Sequence, residues 1–194
     1  MYLKLDQSIR YLITSDTHFG HKNIIKYSNR PFNDVEEMDN FMVDSWNEKV
    51  GPKDIIFHLG DFAFFGADKV VEILKRLNGT IYFLYGNHDR VMRNPIVLDY
   101  IKNTGKIKVS ADTFEFKYNK HNFFMSHYAH RIWNRSHRGT IHLYGHSHGS
   151  LPSLGRSMDV GVDTNDMESN YAPFLLDDVI EFVIQKPIHK IDHH

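Results

Sequence analysis

One pattern recurs five times along the chain: a short apolar run followed at once by a polar cluster. The runs are Tyr11-Leu12-Ile13, Ile55-Ile56-Phe57, Ile81-Tyr82-Phe83-Leu84, Phe123-Phe124-Met125 and Ile141-His142-Leu143. The clusters behind them are Asp16-Thr17-His18, Gly60-Asp61, Gly86-Asn87-His88-Asp89, Ser126-His127 and Gly145-His146-Ser147-His148. Each run reads as a buried strand. Strands that each end in Asp, His or Asn can aim those side chains at one place, as an α/β sheet does at its carboxyl edge.

Between the runs the period changes. Val35, Met38, Met42 and Trp46 step by three or four and predict a helix over 35–49, capped by Asn33 or Asp34 and ended by Gly51-Pro52. Val70, Val71, Leu74 and Leu77 predict a second over 67–77, stopped by Asn78-Gly79. A short helix is expected over 21–27 and another from Asn94-Pro95 to Lys102. The expected strands are 11–15, 55–59, 80–85, 122–126, 140–144, 157–162 and 179–184. Phe114, Phe116 and Tyr118 alternate as in a half-buried strand, joined to 122–126 by a hairpin turn near Asn119-Lys120. A βαβαβ first half and a mostly β second half predict parallel strands giving way to antiparallel ones around one core.

Length and composition narrow the classes. The 194 residues fit a single domain over 1–194, with a frayed tail from His189 through His193 and His194, and 41% hydrophobic residues can bury a sizeable core. A net charge of -1 without long runs of one sign gives no footprint for nucleic acid or membrane. No segment reads as a signal peptide or a membrane span, so a cytoplasmic protein is expected. There is no cysteine, which excludes disulfides, thiolate zinc sites and Cys nucleophiles. Any metal must be held by imidazole, carboxylate and amide groups, and histidine, with 14 copies, is the outlier.

Singly, most clusters have a plain structural alternative. Asp-x-His also occurs as a packing pair, Gly-Asp as a turn, and a His behind a strand as a satisfied core residue. Together, Asp16, His18, Asp61, Asn87, His127, His146 and His148 are too many ligands for one ion and suit two ions sharing Asp61. Two ions ~3.5–4 Å apart form a phosphoryl-transfer device. The mix of His and Asp favours Mn, Fe, Zn, Co or Ni over Mg or Ca. His88 beside Asp89 has the composition of an acid held by a carboxylate.

The order Asp-x-His, Gly-Asp, Gly-Asn-His-Asp, His, Gly-His-x-His, from Asp16 to His148, resembles the calcineurin-like metallophosphoesterases, in particular small bacterial and phage members. The resemblance implies a four-layer α/β/β/α sandwich of mixed sheets with a dinuclear site at the strand ends. Asp16, His18 and His148 would bind the first metal, Asn87, His127 and His146 the second, and Asp61 would bridge. A hydroxide bridging the two divalent transition metals, Mn foremost, would attack phosphorus. His88 would protonate the leaving oxygen, with Asp89 orienting it.

The expected substrate is a small, nucleotide-like phosphodiester; a phosphomonoesterase or protein phosphatase is the alternative. Arg90, Arg131 and Arg135 are candidate phosphate contacts, although a surface ion pair explains Arg90 equally and a solvated loop with one packed Trp explains 131–138. His58 and His142, inside predicted strands, read as packing residues. A silent scaffold of the same fold would be expected to lack ligands, and a zinc peptidase would need a His-Glu-x-x-His helix that the sequence does not contain.

Overall fold

The computed structural model describes residues 1–190. The strands are β1 (Tyr2–Leu3), β2 (Tyr11–Thr14), β3 (Ile55–His58), β4 (Thr80–Leu84), β5 (Ile107–Ala111), β6 (Thr113–Tyr118), β7 (His121–Ser126), β8 (Ile141–Tyr144), β9 (Ser157–Asp159) and β10 (Phe174–Leu175). The α-helices are α1 (Ile24–Tyr27), α2 (Val35–Lys49), α3 (Ala67–Arg76), α4 (Pro95–Thr104) and α5 (Leu176–Ile184). Among these residues no helix is long and apolar enough to cross a membrane.

Two five-stranded sheets pack face to face, in the orders β10-β2-β3-β4-β5 and β1-β6-β7-β8-β9. The first is parallel except for β10. Its central strands are apolar over consecutive residues, as in 11–13, 55–57 and 81–84, because both of their faces are buried. Tyr11, Ile13, Ile55, Phe57, Tyr82 and Leu84 face the second sheet, whose Phe114, Phe116, Phe123, Met125, Ile141 and Leu143 complete the inter-sheet core. Phe57 stacks on Phe116 at 5.0 Å and Phe116 on Phe123 at 4.9 Å. Each such pair contributes ~0.5–1.5 kcal/mol beyond its burial. The alternate residues Leu12, Ile56, Ile81 and Phe83 lie under α1–α4, which bury Met38, Met42 and Trp46 from α2 and Val70, Ile73 and Leu74 from α3. Asp34 caps α2, accepting the Glu37 amide at 2.9 Å.

This is the expected α/β sandwich of mixed sheets, with differences in detail. Residues 179–184 form the helix α5, not a strand. Leu176, Val179, Ile180 and Val183 recur at helical spacing and point into the inter-sheet core, and β10 takes the place beside β2. The second sheet is not mainly antiparallel: only the β6–β7 hairpin is, while β1–β6, β7–β8 and β8–β9 are parallel. Apolar residues pack into two cores, one on each face of the first sheet. The outer face of the second sheet is covered partly by the connection after β7, where Trp133 packs on His142 at 5.0 Å and donates to the Thr140 carbonyl at 2.8 Å.

β9 ends at Asp159, and the chain then crosses between sheets: the Val160 amide bonds the Tyr144 carbonyl and the Val162 amide the Ser15 carbonyl. That crossing draws the carboxyl edges of the two sheets together. His189 lines an apolar cavity with Arg131 and Tyr144, and His193 and His194 lie outside the described residues.

Candidate metal centre

The five clusters follow β2, β3, β4, β7 and β8 at the edge that the crossing joins. Backbone bonds tie the loop after β2 to that after β3, and the loop after β7 to that after β8. The Asp16 amide donates to the Gly60 carbonyl and the His18 amide to the Asp61 carbonyl, both at 3.0 Å, and the Gly145 amide donates to the His127 carbonyl at 2.9 Å. The His146 amide donates to Asp16 Oδ2 at 2.8 Å across the two sheets.

Two groups of ligand atoms result. Asp16, His18 and His148 form one and Asp61, His127 and His146 the other, and within each group the atoms lie within 4.8 Å of one another. Asp61 Oδ2 is 3.6 Å from His18 Nε2 in the first group and 3.6 Å from His127 Nε2 in its own. Asn87 Oδ1 stands 3.0 Å from His127 Nε2.

The donor set fits divalent transition metals on two observations. Asp16 Oδ1 and both ring nitrogens of His18 are buried with no hydrogen-bond partner, an arrangement that a cation satisfies. Two imidazoles are also pre-aimed. His127 Nδ1 meets the Leu59 carbonyl at 2.9 Å and His148 Nδ1 meets Asp163 Oδ2 at 2.7 Å. A carbonyl or carboxylate oxygen only accepts, so Nδ1 carries the hydrogen; His127 Nε2 then faces a second acceptor, Asn87 Oδ1, and two lone pairs meeting at 3.0 Å is what a shared cation would reconcile.

Burial sets the electrostatics. It pushes the Asp16 carboxyl up to about 8 and the His18 imidazole down to about 2, so without a cation both favour their neutral forms. His127 is also lowered by burial. For His148 burial opposes protonation, but the Asp163 hydrogen bond and the Asp16 and Asp163 charges outweigh it and raise the ring above its ordinary value.

The backbone is bent hard at this edge. Asp16, His18, Asp61, His146 and His148 all have left-handed φ, between 46° and 67°. Non-glycine residues rarely adopt this region, and clusters of such residues mark functional sites. Gly145 permits the closest approach: a Cβ there would overlap Ser15 Oγ and Asp16 Oδ2.

Beside the ligands opens a cleft of about 870 Å³, walled by His21, Ile24, Tyr27, Phe64, Ser147 and Leu151. His21 stacks on Phe64 at 3.9 Å. His88 is exposed at this cleft, its amide donating to Asp61 Oδ1 at 2.9 Å and its ring 4.8 Å from Phe64.

Asp89 has a different task from the one expected of it. Its carboxylate accepts the amides of Asp61 at 2.7 Å, Phe62 at 2.8 Å and Gly86 at 2.7 Å. It clips two ligand loops together rather than orienting the His88 ring. Arg90 lines a depression that shares His88 and Phe64 with the cleft. Arg131 lines the cavity beyond Leu151, whereas Arg135 lines a small cavity with Tyr2 and Glu115 and is not brought to the ligands. The 131–138 stretch is fastened to the second sheet, with Asn134 donating to Glu115 at 2.7 Å, and is not a cover over the cleft.

The sequence reading missed Arg30, and it gave no role to Asp159 and Asp163. Asp159 accepts the Ser147 hydroxyl at 2.7 Å and the Gly149 amide at 3.0 Å, which fixes the loop carrying His146 and His148. The Asp159-x-Gly161-x-Asp163 alternation was the available signal; Arg30 had none.

Comparison with known proteins agrees with this geometry. Residues 9–158 match the family model of the calcineurin-like phosphoesterase superfamily domain. An uncharacterized protein of Methanocaldococcus jannaschii is 35% identical over 182 residues, covering 89% of this chain and 90% of that protein. The gene 66 protein of Mycobacterium phage D29 is 26% identical over 180 residues, covering 77% of this chain and 86% of its own. A protein of unknown function from Aquifex aeolicus has the same fold, with TM-score 0.65 and 21% identity over 90% of this chain and 99% of that one. The family match spans all five ligand loops, and the chain belongs to the calcineurin-like phosphoesterase superfamily.

Proposed function

We propose that this chain hydrolyses phosphodiesters at a pair of divalent transition-metal ions, Mn²⁺ foremost, and that its substrates are small and nucleotide-like. The observation that carries the two-ion reading is the position of Asp61 Oδ2, equidistant at 3.6 Å from a His nitrogen of each ligand group. When bound, such ions polarise the phosphoryl oxygens and lower the pKa of a coordinated water toward neutrality.

The chain's own groups supply the rest. Asp16, His18 and His148 would hold one ion, Asn87, His127 and His146 the other, and Asp61 would serve both. His88 stands over the cleft with its backbone fixed by Asp61, so its ring can give a proton to the departing oxygen. The preference for a planar substituent is supported by large apolar side chains left exposed around the ligands: Tyr27, Phe64 and Leu151 in the cleft wall, and Tyr128 beside it. Tyr128 packs on His127 at 5.0 Å and on His146 at 4.5 Å. Exposed aromatic surface gathered at one polar centre is a place for a ring to stack.

The test compares bis(p-nitrophenyl) phosphate with p-nitrophenyl phosphate on Mn²⁺-loaded protein, alongside Asp61→Asn. Faster diester cleavage, lost with Asp61, is expected. Faster monoester cleavage would move the assignment to a phosphomonoesterase, and no cleavage of either by metal-loaded protein would end it.

A further inference from the structure

Arg30 lies in the turn after α1 with its side chain wholly buried. Its guanidinium grips Asp163 with two parallel bonds, Nε to Oδ1 at 2.9 Å and Nη2 to Oδ2 at 2.8 Å. It also donates to two backbone carbonyls of the first ligand loop, Asp16 at 2.8 Å and Thr17 at 2.9 Å. The same Asp163 Oδ2 accepts His148 Nδ1 at 2.7 Å. One buried ion pair therefore touches the loop carrying Asp16 and His18 and, through a carboxylate, the ring of His148.

Stability is a poor explanation for this pair. The guanidinium sits against the sulfurs of Met38 at 3.5 Å and Met42 at 3.9 Å, in surroundings that apolar side chains would fill. Desolvating a buried pair often cancels its attraction, and well-packed apolar replacements are commonly neutral or stabilising. What apolar groups cannot do is satisfy two carbonyls and fix an imidazole. The second group has its own arrangement: His127 is aimed by the Leu59 carbonyl, and the Asp61 loop is clipped by Asp89.

We propose that Arg30 and Asp163 are positioning residues for the first metal site, holding Asp16, His18 and His148 in ligating geometry and touching no ligand side chain of the second site, which meets them only through the His146–Asp16 bond and Asp61. The proposal rests on the two-ion reading above. Fixing the ring and raising ligand basicity through an outer carboxylate is worth about ten- to a hundredfold in metal affinity.

The experiment titrates metal-free protein with Mn²⁺ by calorimetry and counts bound metal by elemental analysis. The wild type should bind two equivalents; fewer than two would defeat the parent reading, whatever the variants do. Asp163→Asn should keep one equivalent at wild-type affinity and weaken the other about ten- to a hundredfold. In a His127→Ala background, which removes a ligand of the second site, the same change should weaken the remaining ion's binding by that same ten- to hundredfold factor. The Arg30→Met/Asp163→Leu double variant removes both charges together and should fold, by circular dichroism, with one site. Wild-type affinity at both sites in a folded double variant would overturn the proposal. So would equal weakening of both sites, or failure of every pair variant to fold, because the pair would then serve the whole cleft or the fold alone.

Discussion

His142 offers a test of the electrostatics that is independent of the metals. It lies in β8 with no exposed surface, and burial holds its imidazole down at about 3. Both nitrogens are committed: Nδ1 donates to the Phe124 carbonyl at 3.1 Å and Nε2 accepts the His130 amide at 2.9 Å. A second ring proton would face that amide hydrogen. The imidazole thus stays neutral in the fold, while in the unfolded chain it charges below its ordinary 6.5. The unfolded chain takes up the proton, and stability falls as pH drops from 6.5 toward 3. At about pH 5 the loss spans roughly 1.5 units, or ~2 kcal/mol at about 1.36 kcal/mol per unit. That is a large share of a typical ~5–15 kcal/mol. His142→Gln keeps a donor and an acceptor but cannot titrate. Urea unfolding of both proteins at about pH 7.5 and about pH 5 should show the variant losing ~2 kcal/mol less between the two. Metal-linked titration is common to both proteins and cancels in this difference of differences. Equal losses, within ~0.5 kcal/mol, would refute the claim that a neutral His142 is part of the folded state.

Three further changes probe the centre. Gly145→Ala forces a methyl onto Ser15 and Asp16; at ~1–3 kcal/mol of overpacking, Mn²⁺ affinity measured by titration should fall about ten- to a hundredfold, and unchanged affinity would contradict the close approach. His88→Ala should lower kcat about a hundredfold or more for a diester with an alkoxide leaving group, and much less for p-nitrophenolate, which departs without a proton. Equal effects on both leaving groups, with bound metal unchanged, would remove His88 from the role of acid. Phe64→Ala should raise KM about tenfold more for aryl diesters than for dialkyl ones, matching ~1–3 kcal/mol of stacking. A uniform change across substrates would dismiss the aromatic wall as a ring site.

The central strands β2, β3 and β4 of the first sheet were legible because parallel strands covered on both sides must be largely apolar without alternation, as in Ile81 to Leu84, whereas β5, a half-exposed edge strand with Lys108 and Ser110 between its apolar residues, was not. The ligand clusters were legible because each lies directly behind its strand, so a local pattern carries the position. What escaped depends on distance or on competing periods. Arg30 and Asp163 are 133 residues apart, and no local pattern links a turn after a four-residue helix to the crossing beyond β9. The segment of α5 reads as a strand from its β-branched Val179, Ile180, Val183 and Ile184, while the three-and-four spacing that Leu176 completes is helical and prevails in the fold. β1 and β10 have two residues each, too few to show any period. The sequence pairs Asp89 with the ring beside it, but three amides, Gly86 of its own turn and Asp61 and Phe62 of the turn after β3, take its carboxylate.

The left-handed backbone at the ligands explains why the site belongs to the fold and not to its loops. A residue held in this region costs of order 1–3 kcal/mol and persists only where its surroundings over-determine it. Five residues of the two ligand groups sit there, so the loops alone would relax away from ligating geometry. The surroundings are identifiable. Asp16 and His18 are tied to the Gly60 and Asp61 carbonyls, His146 to the Asp16 carboxylate, and the His148 ring to Asp163. The first two ties join neighbouring strands of one sheet, whereas the His146–Asp16 bond joins loops that only the paired sheets bring together, beside the bridge between Ser15 and Gly161. The strain is therefore supported by the inter-sheet core, and a core substitution far from the cleft, such as Phe116→Ala in the Phe57–Phe116–Phe123 stack, should loosen metal binding before it unfolds the chain. At ~3–5 kcal/mol of lost packing, that variant should release its metal to a chelator at a concentration the wild type resists, while its far-ultraviolet dichroism stays native. Metal retention equal to wild type in a measurably destabilised protein would separate the site from the core and sink the argument.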